Sequence, residues 1–152
     1  MPINISRLSP RDEMFTWAPY DGPVLHFAMS RLVRYLRDSG RPPEPVELTE
    51  DLVRHCVEKH GVELDHLPSI KRDRLEDPCV LLAWPDGTHI VADGNHRLAM
   101  RYMLGMDHFF GWMVPEATWR RFTIDGVPTN KADAIAFVRR FPNFSKWMTQ
   151  RT

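Results

Sequence analysis

The sequence predicts an α+β fold, and three observations predict it. VLLAW (80–84) and HIVAD (89–93) are apolar runs flanking Asp86-Gly87, a pair that hairpin turns favour because both positions tolerate positive φ. Residues 97–104 follow with Leu98, Ala99, Tyr102 and Met103 on one side, the spacing of an amphipathic helix that Gly105 would end. FFGWMV (109–114) then reads as a buried strand stopped by Pro115. Two strands, a helix and a third strand in so short a span describe a small mixed sheet with helices packed on it.

The remaining elements are extensions of that core. Residues 1–23 contain Trp17, Pro19, Tyr20 and Pro23 and read as an irregular arm lying on the body. Over 24–37, Val24, Leu25, Ala28, Met29, Leu32, Val33 and Leu36 recur at helical spacing; Gly40 and the prolines of SGRPPEP (39–45) end that helix. Thr49 offers a side-chain oxygen as N-cap to a second helix, with Glu50 and Asp51 where the helix dipole favours negative charge. It should run to about residue 59 and stop near Gly61. Residues 64–78 read as loop. A last helix spans 131–141, with Ala134, Ile135, Phe137 and Val138 apolar.

Length and composition fit one globular domain: 152 residues, 43% hydrophobic and 26% charged. Twenty basic residues balance twenty acidic ones, which removes the simplest argument for nucleic-acid binding, since that affinity comes largely from Lys and Arg neutralising phosphates. Residues 116–152 form a basic helical extension, with seven basic and three acidic residues. Cys56 and Cys79 sit in no CxxC pattern and read as small buried side chains. No signal peptide and no run of 18 apolar residues is present, so a cytoplasmic protein without membrane contact is expected.

Chemistry concentrates in VADGNHRLAMRYMLG (91–105), where Asp93, Gly94, Asn95, His96 and Arg97 stand between strand and helix. The first turn of a helix has N–H groups without intrahelical partners, and its dipole favours anions. Gly94 lets a ligand approach the main chain, Arg97 adds a planar fork of donors, and His96 titrates near neutrality. Together they describe an anion site suited to nucleotide phosphates. Asp93 can orient its neighbours, take a proton or help to hold Mg²⁺. The same residues also suit an ordinary helix start, with Asp93 as cap and Arg97 paired to a carboxylate.

The order hairpin, DGNHR, amphipathic helix, Leu-Gly and apolar strand resembles the ParB/sulfiredoxin-like superfamily over residues 64–115, whose signatures take the form G-x-H-R or G-x-R-R, with a D-G-H-H-R version in free serine kinases. The resemblance implies that Gly94, His96 and Arg97 bind ATP or CTP phosphates and that Asp93 assists phosphoryl transfer. Asn95 stands where sulfiredoxins carry their essential cysteine, so sulfinic acid reduction is not expected. With 37 residues after Pro115, the DNA-reading and dimerisation parts of partition proteins are not expected.

Other constellations are weaker. Lys71, Arg72 and Arg74 would clamp a polyphosphate or, alternating in sign with Asp73, Glu76 and Asp77, form a salt-bridged loop. His55 and His60 fall on different helix faces, and His89, Asp93 and His96 make a poor zinc set; His26 and His108 read as structural. The aromatics Phe109, Phe110, Trp112, Trp119 and Phe122 could stack a base, but all except Trp119 read as core. No G-x-S-x-G elbow is present. The expected function is ATP or CTP binding at the DGNHR turn, with phosphotransfer to a small molecule or protein, or nucleotide hydrolysis. Catalysis would fall to Asp93 and His96, phosphate contacts to Gly94, Asn95, His96, Arg97, Lys71 and Arg72, and Mg²⁺ to Asp93. The alternative is a non-enzymatic module that binds a nucleic-acid backbone or a protein partner, with Arg120, Arg121, Arg139, Arg140, Lys146 and Arg151 supplying contacts.

Overall fold

The computed structural model describes residues 2–17, 23–60 and 75–127. Helices and strands are mixed, as an α+β chain requires. The chain divides into two compact units, Gly40–Glu116 and the pairing of Met1–Ser39 with Ala117–Thr152. No helix among the described residues is long and apolar enough to cross a membrane.

The unit formed by Met1–Ser39 and Ala117–Thr152 holds β1 (Ile3–Asn4), a 3₁₀ turn (Ile5–Arg7), β2 (Met14–Trp17), β3 (Leu25–Ala28) and α1 (Met29–Asp38). Within the stretch read as an irregular arm, Ile3–Asn4 and Met14–Trp17 are strands and Ile5–Arg7 is a 3₁₀ turn. Its β2 pairs antiparallel with β3, Phe15 opposite Phe27 and Thr16 opposite His26. The Thr16 hydroxyl and His26 Nδ1 share a hydrogen bond of 2.8 Å, so this histidine is structural, as read. The helix expected over 24–37 starts only at Met29. Leu25 and Ala28 satisfy helical spacing, but pairing with a strand eleven residues upstream decides the conformation instead. Glu13 anchors the helix start: its carbonyl accepts from Met29 N at 3.0 Å, and its N–H donates to Ser30 Oγ. Gly40, at φ +72°, follows the helix end as expected.

Over residues 79–114 the sequence reading holds more closely, whereas the strand at Glu44–Glu47 was not expected from it. The second unit contains β4 (Glu44–Glu47), α2 (Glu50–His60), β5 (Cys79–Ala83), β6 (His89–Asp93), α3 (Asn95–Met103) and β7 (His108–Val114). Thr49 caps α2, its hydroxyl accepting from Leu52 N at 3.2 Å. The sheet order is β4-β7-β5-β6, with β5 and β7 parallel and the other pairs antiparallel. Every residue of β5 from Cys79 to Leu82 is buried, which explains why CVLLA lacks the alternation of a half-exposed strand. Leu81, Val91 and Phe109 from the sheet pack with Val53 and Cys56 of α2 and Leu98 and Ala99 of α3 in one apolar cluster. A Cβ on Gly111 would stand 2.7 Å from Leu81 Cδ1, so a larger residue there would push the Leu81 side chain aside.

The β5–β6 turn forms where expected but by different chemistry. Only Gly87 takes positive φ, at +87°. Gly87 N donates to Trp84 O and Trp84 N to Thr88 O, the pattern of a type I turn closed by a left-handed glycine. Asp86 acts through its side chain, accepting from Thr88 N at 2.9 Å and from the Thr88 hydroxyl; these bonds hold its carboxyl below the ordinary value.

After β7 come α4 (Glu116–Trp119), a 3₁₀ turn (Arg120–Phe122) and β8 (Ile124–Asp125), which pairs parallel with β1. Trp119 was set apart from the core on sequence, and this is corrected: it is fully buried, edge-on to Phe27 at 5.7 Å. Its neighbours Arg120 and Arg121 suggested an exposed site. One short turn separates the two environments, with Arg120 stacked over the indole at 4.8 Å. Residues 131–141, expected helical, lie outside the described residues, as do Arg139, Arg140, Lys146 and Arg151.

Candidate functional site

The β6–α3 junction is built by one glycine. Gly94 has φ +99° and is the residue from which α3 starts, two positions earlier than the sequence suggested. Gly94 supplies no side-chain cap, and among the described residues Asp93 makes no bond to the first-turn N–H groups, so the expected cap from Asp93 is absent. The Gly94 carbonyl accepts the first helical bond from Leu98 N at 2.9 Å.

Space forces the choice of glycine as much as backbone angle does. A Cβ at this position would stand 2.4 Å from Cys79 Sγ and 3.0 Å from Arg97 Nη2. Cys79, at the start of β5, thus fills the volume behind the turn, its thiol donating weakly to Gly94 O at 3.8 Å. Burial pushes this thiol up to about 11; the nearby Arg97 guanidinium pulls it down and Asp93 pushes it up, leaving it protonated at neutral pH.

The five turn residues take different orientations. His96 is exposed in the first turn of α3. Asp93 is partly exposed, and its Oδ2 lies 3.4 Å from Arg97 Nη2, one helical turn away. Arg97 itself turns inward: Nη2 donates to Pro78 O at 3.1 Å, only 19% of the side chain is exposed, and buried Nε has no acceptor. Asn95 Nδ2 donates back to Val91 O at 3.0 Å, while its Oδ1 is buried without a donor. The turn therefore brings Asp93, Gly94, Asn95, His96 and Arg97 together but commits Arg97 and Asn95 first to the main chain around them. Lys71 and Arg72 lie outside the described residues. Among the described residues no group of three His, Cys, Asp or Glu side chains converges as a metal site.

Arg101 was not singled out on sequence, although it lies four residues beyond Arg97 on the same helix face. It is 5% exposed, donating to Leu75 O and His108 O, each at 2.9 Å, with Glu76 Oε2 at 3.4 Å. Arg97 and Arg101 together fasten the 75–78 stretch to α3 through its carbonyls. The signal was an arginine at i+4 amid Leu98 and Ala99, on the apolar side. Tyr102 and Met103, which the sequence placed on that side, are instead exposed. The helix closes with Met106 N bonded to Arg101 O and Gly105 N to Tyr102 O, Gly105 at φ +78°.

Comparisons with protein-family models, curated proteins and solved structures returned no match.

Proposed function

We propose that the β6–α3 turn binds the phosphates of ATP or CTP, as a ParB/sulfiredoxin-like nucleotide site would. The observation that carries this reading is the start of α3: a positive-φ glycine that supplies no side-chain cap, with an exposed histidine two residues on, in the first helical turn. An uncapped helix N-terminus favours anions through its N–H groups and its dipole. Phosphate oxygens would take donors from the main chain at Asn95, His96 and Arg97, and His96 would add a donor from its ring.

Asp93 and Arg97 would play supporting parts. A triphosphate competing for the Arg97 fork would release the Asp93 carboxylate to the solvent side. Mg²⁺ is commonly held by one or two carboxylates plus phosphates, so Asp93 suits an ion carried in by the nucleotide. Phosphoryl transfer or hydrolysis there would rest on positioning and charge neutralisation, with Asp93 receiving the proton of the attacking hydroxyl.

Calorimetric titration of the full chain with ATP and with CTP, with and without Mg²⁺, tests the reading. Binding is expected and His96→Ala should weaken it about ten- to a hundred-fold, the loss of one donor to a charged group. No heat with either nucleotide, or an unchanged affinity in both His96→Ala and Arg97→Ala, overturns it.

A second reading has its own support. Arg97 is already held by Pro78 O and Asp93, which favours a turn that shapes a non-enzymatic interaction module. Such a module would bind nucleic acid or protein without any effect of nucleotide or Mg²⁺. A gel shift in rising salt, repeated with ATP, separates the two.

A further inference from the structure

The other unit contains an open cleft of about 600 Å³ between α1 and the 3₁₀ turn Arg120–Phe122, with the 9–12 loop along its edge. One side of α1 builds it. Met29, Leu32 and Leu36 are buried, whereas Arg31, Arg34, Tyr35 and Asp38 line the cleft.

The charges in this cleft are unevenly matched. Arg31 is committed: Nη2 donates to Arg7 O at 2.7 Å and lies 3.4 Å from Asp12 Oδ2, neutralising that carboxylate. Arg11 and Arg34 also line the cleft, and among the described residues neither guanidinium has an acceptor. Arg121 is not part of the lining but stands beside it, its guanidinium 5.0 Å from the Tyr35 ring centre and 5.8 Å from that of Phe122. Those two rings lie 5.4 Å apart and both face the cleft, Tyr35 being 42% exposed. Unpaired guanidiniums around one concavity repel one another and raise the local potential, a condition that a bound anion relieves. The exposed Tyr35 ring and the half-buried Phe122 ring beside them offer an apolar surface.

We infer that this cleft binds a small aromatic phosphomonoester, with its phosphate on Arg11 and Arg34 and its ring against Tyr35 and Phe122. Asp38, one turn beyond Arg34, sets the direction of binding: it repels phosphate from that end and accepts from a hydroxyl or amine on the ring. The site shares no residue with the β6–α3 turn, so its failure leaves the nucleotide reading standing, and the reverse holds equally.

Calorimetry of the full chain with phenyl phosphate tests the inference, with inorganic phosphate and phenol as separate titrants. Phenyl phosphate should bind at least ten-fold more tightly than either fragment. Arg34→Ala and Arg11→Ala should each weaken it, Arg34→Ala by ten-fold or more, with melting temperatures unchanged because neither guanidinium makes a bond that the fold needs. No binding of phenyl phosphate, equal affinity for inorganic phosphate, or binding indifferent to both substitutions overturns it.

Discussion

Cys79 Sγ lies 3.8 Å from the carbonyl oxygen of Gly94, and a methyl group on Gly94 would stand 2.4 Å from that sulfur. The shape of the turn thus depends on a thiol from the neighbouring strand. Gly87 provides the comparison, having similar positive φ but no atom within 4 Å of its would-be Cβ. Gly87→Ala should cost about 1–2 kcal/mol, the backbone strain alone. Gly94→Ala adds overpacking and should cost about 2–5 kcal/mol. Denaturant unfolding of the two variants measures the difference. In Gly94→Ala/Cys79→Ala the clash is relieved, and the double variant should lose less than the sum of the two single losses.

Arg101 is the side chain on which the 75–78 stretch most depends. Arg101→Met keeps the bulk but strips donors from Leu75 O and His108 O, and should cost about 2–4 kcal/mol. Glu76→Gln should cost under about 1 kcal/mol, because that carboxylate is 73% exposed and its pairing is screened. Equal losses in the two variants would mean that the ion pair, not the carbonyl contacts, holds the segment.

Both cysteines are buried as neutral thiols, and this sets a pH dependence. Burial pushes Cys56 up to about 12, with Cys79 adding to the rise, and pushes Cys79 up to about 11; the ordinary value is 9.0. A pKa raised by folding means that their contribution is fully present below about pH 9 and fades as pH rises toward 11–12. Stability should fall across that alkaline range, and less steeply in Cys56→Ala/Cys79→Ala. At pH 8 a thiol reagent should react with the native chain only as fast as it opens, and rapidly in denaturant.

The hairpin, α3 and β7 were legible because each is specified locally: apolar runs, a turn pair, a helical stripe and a closing glycine lie in consecutive residues. Where long-range pairing decides, local reading fails. Leu25 and Ala28 fit a helix until β2 is placed beside them, and β1 finds its partner more than a hundred residues away in β8. The turn residues were found by type, but the inward direction of Arg97 was not. It is set by Pro78 O, which no spacing along the chain brings to mind. The thiol behind Gly94 was hidden for the same reason, since only the pairing of β5 with β6 puts Cys79 there.

The most direct test of the nucleotide reading is an amide-resolved titration, following ¹H–¹⁵N correlation spectra of the full chain as ATP, then CTP, is added with Mg²⁺. Saturable shifts at the amides of Asn95, His96 and Arg97 are predicted, larger than those of residues in the middle of β5 and β7. If those three amides stay in place at millimolar nucleotide while the fold is intact, phosphates do not sit on this helix.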